Sequence, residues 1–194
     1  MSIENTGAAK LSSEDNATFF RINNGLLTYV GKVKKKIMVL ESETDMHGFR
    51  SYLADMREIC WKKPKEYIRK YLLENTELDM RERTILEEWG QKYIADDFFI
   101  MDFKPEYAVV MRVDRKTGKC ILYAVKGLSD SLAHVVNRQK PLIVQLLLLP
   151  LEGKIIYDGM VGYLNNDIFD EENINALQDI YQNTLAESGI VMEL

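Results

Sequence analysis

Cysteine, histidine and proline are scarce in this chain: its 194 residues include two cysteines, two histidines and four prolines. Two thiols, Cys60 and Cys120, cannot build a disulfide framework or a four-thiolate zinc site. Neither His47 nor His134 has a second histidine, a cysteine or an acid at a metal-ligand spacing, so no metal and no other cofactor is expected. Long apolar runs are also missing. The longest, residues 143–151, is interrupted by Gln145 and Pro150 and falls far short of the ~18 residues of a membrane helix. The chain does not start with a basic, then apolar, then small-residue stretch, so no secretory signal is read and the protein is expected in the cytoplasm. The glycine-rich phosphate and dinucleotide loops and the GxSxG nucleophile turn do not occur. No repeat or low-complexity tract stands in their place. These absences lean against an enzyme.

What is present is ordinary for a soluble globular protein: 46% hydrophobic and 28% charged residues. The length allows one domain or two small ones. Residues 1–15 are small and polar and read as a flexible terminus. Residues 16–94 carry apolar positions at the three-and-four spacing of helices. A first helix, capped by Asn16 or Thr18, lines up Phe19, Ile22, Leu26, Val30, Val33 and Ile37. Gly25 and Gly31 interrupt it, which suits close approach of another element. A second helix runs from Met46 toward Cys60, and Pro64 ends it or opens a third. Asp79 followed by Glu82 marks the start of a fourth, a pattern related to the capping box.

The pattern changes at Ala95. Residues 98–103, 107–113, 119–125, 143–149 and 154–163 are short and rich in branched and aromatic side chains, with turn signals between them. Asp170 and Gly189 bracket a last helix with Ile174, Leu177, Tyr181 and Leu185 inward. Helices first and strands after predict an α+β fold. The expectation is N-terminal helices, an antiparallel sheet of about five strands over residues 95–194, and a C-terminal helix packed on that sheet.

Split at Ala95, the first part carries a net charge of +1 and the rest −6, making −5 for the chain. Neither part is the strongly basic domain of a nucleic-acid binder, so nucleic acid is not an expected partner. Two local patches stand apart: Lys32 to Lys36, and the basic residues from Arg57 to Lys70 around Trp61 and Tyr67. Basic residues interleaved with aromatics can hold phosphate and stack bases, which keeps weak nucleic-acid binding as an alternative. Ser129, Asp130, Ser131 and His134 hold the residue types of a hydrolase within one loop, but a triad is assembled by the fold around an oxyanion hole.

The segment Leu147 to Gly159 is the most distinctive. A Pro150–Gly153 turn leads into a strand bearing Lys154, Tyr157 and Asp158. Tyr157 and Asp158 alternate faces and Lys154 shares a face with Asp158, so these three are the candidate ligand or partner contacts. A hydrolase or small-ligand enzyme using them with His134 is the second alternative. The run Leu148, Leu149, Pro150, then Gly153, Lys154, Ile155, Ile156, Tyr157, Asp158 and Gly159 resembles a hairpin of uncharacterised bacterial proteins. Tyr181 and the upstream Glu74, Asn75, Leu78 and Trp89 look similar too. Some of those relatives carry a cysteine-rich SEC-C zinc tail whose ligands are not found here. The resemblance implies a fold and no reaction. The expectation is a non-catalytic cytoplasmic protein that binds a macromolecular partner, with a protein as that partner.

Overall fold

The computed structural model describes residues 9–36, 38, 45–136, 142–164 and 170–194. The chain divides into two compact units: Glu14–Gln91, and Lys92–Leu194 with Met1–Ser13.

The first unit is helical: α1 Ser13–Val33, α2 Met46–Lys62, α3 Pro64–Glu74 and α4 Met80–Gln91. Helix α1 begins at Ser13, ahead of the expected cap at Asn16 or Thr18. Glu14 and Asp15 in its first turn suit the positive end of the helix dipole, and Arg81 pairs with both, at 3.0 and 2.7 Å. Asp45 caps α2 by accepting the Gly48 N–H at 2.8 Å. Pro64 opens α3, where its missing N–H costs nothing. At α4 the capping box closes in both directions. The Glu82 N–H donates to Asp79 at 2.8 Å, and the Asp79 N–H donates to Glu82 at 3.0 Å.

The apolar stripe of α1 is buried at Phe19, Ile22, Leu26 and Val30, whereas Val33 is exposed. Ile37 lies outside the described residues. Phe19 packs on Trp89 with ring centroids 5.7 Å apart. Both α1 glycines permit close packing: a Cβ at Gly25 or Gly31 would overlap the hydroxyl of Tyr71 or Tyr52.

The second unit is a barrel-like mixed sheet. Its strands are β1 Ile94–Phe103, β2 Ala108–Val113, β3 Cys120–Lys126, β4 Leu142–Pro150, β5 Ile155–Tyr157, β6 Gly162–Tyr163 and β7 Ile190–Val191. Strand β1 pairs antiparallel with β4 from Ile94 to Ile100 and with β2 from Phe99 to Phe103. The order β4-β1-β2-β3 is a Greek key. Strand β5 closes the circuit, lying antiparallel to β4 and parallel to β3.

The expected α+β fold is present, and its sheet, antiparallel in most pairings, is mixed because β5 lies parallel to β3. The reason is parity. Antiparallel pairing alternates direction, and a closed circuit of five strands must contain one parallel pair. Strand β7 adds a second parallel pairing on β3.

The β4–β5 turn is tight. Leu151 and Lys154 exchange both backbone hydrogen bonds, at 2.8 and 3.1 Å. Glu152 and Gly153 both take positive φ, 48° and 72°, the geometry of a type I′ hairpin. The single strand expected over 154–163 is broken in two. Gly159, at φ 88°, turns the chain between β5 and β6, and both pieces pair with β4.

The barrel interior is apolar, with Phe98, Ile100, Val110, Val144, Leu146 and Leu148 all fully buried. Outside, α6 Glu171–Ser188 lays Leu177 and Tyr181 on Met101, Val109, Met111 and Leu122. Asp170 caps α6 at Asn173 and Gly189 ends it at φ 68°, as expected. Ile174, expected inward, is exposed, because it lies one turn ahead of that contact. The flexible terminus read over 1–15 is not free from Ala9 onward. Ala9 and Leu11 are buried, and their backbones bond Gly127 at 2.8 and 3.0 Å. A short helix, α5 Leu132–Val135, stands between β3 and β4. Among the described residues, no helix is long and apolar enough to cross a membrane.

Candidate functional site

The three hairpin candidates are not gathered into one groove. Lys154 stands half-exposed at the turn, ahead of β5, while Asp158 follows the other end of that strand. At ~3.3 Å per residue, the two are separated by roughly 13 Å of extended chain. Tyr157 lies opposite Leu148 in register and is only 3% exposed. Asp158 is buried as well, its carboxylate accepting the Met160 N–H at 3.4 Å beside Gly159. Burial first, then the nearby Asp158, Asp130 and Tyr163, push the Tyr157 hydroxyl up to about 12. It is a neutral, packed phenol at ordinary pH, not a base.

A pH experiment tests that placement. A phenol whose folded pKa is raised stabilises the fold fully below its unfolded pKa of about 10. The contribution fades as pH rises from there toward about 12. Urea melts between pH 9 and 11.5 should show stability falling, and Tyr157→Phe should remove a share of at most about 2–3 kcal/mol. A slope unchanged in Tyr157→Phe would mean that the hydroxyl reaches water.

His134 is exposed on α5 and Ser131 is buried. Burial raises both thiols, Cys60 to about 12, which disfavours the nucleophilic thiolate. His47 is exposed on α2. Among the described residues, no three His, Cys, Asp or Glu side chains are grouped as a metal site would require.

The helical unit carries a more organised feature. Helix α1 carries Lys32 in its last turn and is followed directly by Lys34, Lys35 and Lys36, cations suited to the negative end of its dipole. The Lys36 N–H reaches back to the Gly31 carbonyl at 2.9 Å, with Lys35 at φ 53°. A left-handed residue with a side chain costs roughly 1–2 kcal/mol; here it lets the lysine run wrap the helix end. The Lys34 ammonium lies 5.7 Å from the centroid of the Tyr67 ring on α3. That contact brings the first basic cluster against the second, which spans the end of α2 and the start of α3.

Glu66 sits between them. Its carboxyl is held below the usual range by Lys70, bonded at 2.8 Å, and more weakly by Lys63 and Lys34. Together, residues 32–36 and 57–70 hold ten of the unit's fourteen basic residues against only Glu58 and Glu66. Over Glu14–Gln91 acids and bases are equal in number, so the unit is neutral but polarised. Tyr67 is only 4% exposed and its ring is occupied by Lys34, so it offers no free face for stacking a base.

Each lysine cluster is visible in the sequence. Their union is not, because it depends on α1 and α3 meeting. Comparison with protein-family models, curated protein sequences and solved structures found no match to this chain.

Proposed function

We propose that this chain is a non-catalytic binding module whose helical unit engages an acidic patch on a partner protein through its lysine-rich end. The observation that carries the reading is the Lys34–Tyr67 contact, which brings the lysine run after α1 against α3 and the second basic cluster. A discrete acidic patch suits that end better than a uniform polyanion. The chain as a whole is at −5, and a long phosphate backbone would also meet its acidic regions. Five-stranded Greek-key barrels of the OB type take oligonucleotides on their β2–β3 face. Here α6 lies on that face, which argues further against nucleic acid. The burial of Tyr157 and Asp158 favours a packing role for the hairpin over an enzyme site.

The test is affinity capture from an extract of the source organism, with and without nuclease. Wild type is set beside a Lys34→Glu, Lys35→Glu, Lys36→Glu variant. The expected result is an acidic protein retained after nuclease, lost from the variant, and released by salt as the Debye length shrinks below ~8 Å. A partner removed by nuclease, or retained by the variant, sinks the proposal.

A further inference from the structure

Helices α3 and α4 enclose an open groove of about 460 Å³, within the ~300–1,000 Å³ range of ligand pockets. Its floor is Ile68 and Gly90, and Leu72 and Leu73 form one wall. Leu73 is 74% exposed, unusual for a leucine on a packed helix. Gly90 differs from the α1 glycines. A Cβ there would meet Ile68 only at 3.8 Å, an ordinary contact, and its φ is not positive. Neither crowding nor backbone conformation demands glycine at that place. Its effect is to leave the floor open.

The groove is held firmly. Arg83 donates to the carbonyls of Leu72, Asn75 and Leu78 at 3.0, 2.8 and 3.3 Å. It thereby closes the C-terminal end of α3 and ties it to α4. Lys65 and Arg69 stand on the α3 rim, one helical turn apart on a shared face, and neither forms an ion pair among the described residues. Glu87 stands on the α4 rim. Lys65 and Arg69 belong to the second basic cluster by sequence, and at two residues to either side of Tyr67 they turn to the opposite side of α3 from the Lys34 contact, toward the groove.

We infer that this groove receives an amphipathic helix of the partner protein, with large apolar side chains on the Ile68–Gly90 floor and acidic residues along the Lys65–Arg69 rim. A groove between two helices suits the helix-in-groove mode, with anchors spaced at three and four residues. The unpaired cations of the rim select acids on that flank. This inference rests on the reading of the lysine-rich face as a protein-binding surface and names the element bound.

The experiment titrates the full-length protein into three fluorescein-labelled chains at low salt, following anisotropy. One is a helical peptide with leucines at i, i+3, i+4 and i+7 and glutamates along one flank. The second is its scramble, and the third is polyglutamate. The ordered peptide should bind at least tenfold tighter than its scramble. Leu73→Asp, at an exposed position, and Gly90→Leu, which fills the floor, should each erase at least tenfold of that affinity. Circular dichroism checks that both variants stay folded. The Lys34→Glu, Lys35→Glu, Lys36→Glu variant should weaken all three chains alike. Equal binding of ordered and scrambled peptides, or undiminished binding by Leu73→Asp, overturns the groove and leaves the cationic face standing. Failure of wild type to bind any of the three overturns both.

Discussion

Leu149→Ala is expected to lower the unfolding free energy by about 2–5 kcal/mol. Leu149 has no exposed surface and sits on β4 opposite Ile156 of β5. Strand β4 is held on one side by β1 and on the other by β5 and β6, so the backbone has little freedom to collapse into a cavity. The lost burial, roughly 1.5–3 kcal/mol for a leucine, is then joined by the cost of the void. Urea melts followed by circular dichroism measure it. Leu73→Ala, at a position 74% exposed, is the control and should stay within about 0.5 kcal/mol of wild type. A Leu149→Ala protein as stable as wild type would mean that β4 is not the covered strand described.

The second large effect is expected at Arg21. Glu82 has a fully buried side chain whose carboxylate pairs with Arg21, while Arg21 itself is 59% exposed. Removing one partner of a fully buried pair costs about 3–5 kcal/mol, because the other charge is stranded. Water at Arg21 softens that penalty, so Arg21→Ala should cost about 2–3 kcal/mol, below the full range. Glu82→Gln removes the charge but keeps an oxygen for the Asp79 N–H that Glu82 now accepts. The double variant Arg21→Ala, Glu82→Gln should therefore be more stable than Arg21→Ala alone. Thermal melts of the four proteins complete the cycle. An Arg21→Ala loss below about 0.5 kcal/mol would show Glu82 drawing its compensation from water or other groups.

These two residues show how far sequence reading reaches. Leu149 is recognisable from its place in an apolar run bounded by a turn, and Glu82 from its spacing to Asp79. Both signals are local. The helix starts at Asp79 and Asp170 and the stop at Gly189 are legible for the same reason: each is a bond between residues three or four apart. Arg21 as the partner of Glu82 is not legible, because the pair forms only when α1 and α4 come together. The burial of two of the hairpin candidates is not legible for a related reason. Alternation along a strand separates two faces without telling which is wet, and in this barrel the faces bearing Tyr157 and Asp158 are both covered.

Local composition and spacing by themselves determined the helical first half, the strand-rich second half, the turns, most of the core positions and the two lysine clusters. Each follows from the period of side chains on a helix or strand, or from charge counted along the chain. Tertiary structure alone decided which strands pair, that the sheet closes through parallel β3 and β5, and that Ala9 and Leu11 join Gly127. It also decided that Lys34 meets Tyr67, and that α3 and α4 leave a groove open over Gly90. All of these are contacts between residues distant in the chain. Their positions depend on how whole elements pack, which no short window of sequence encodes.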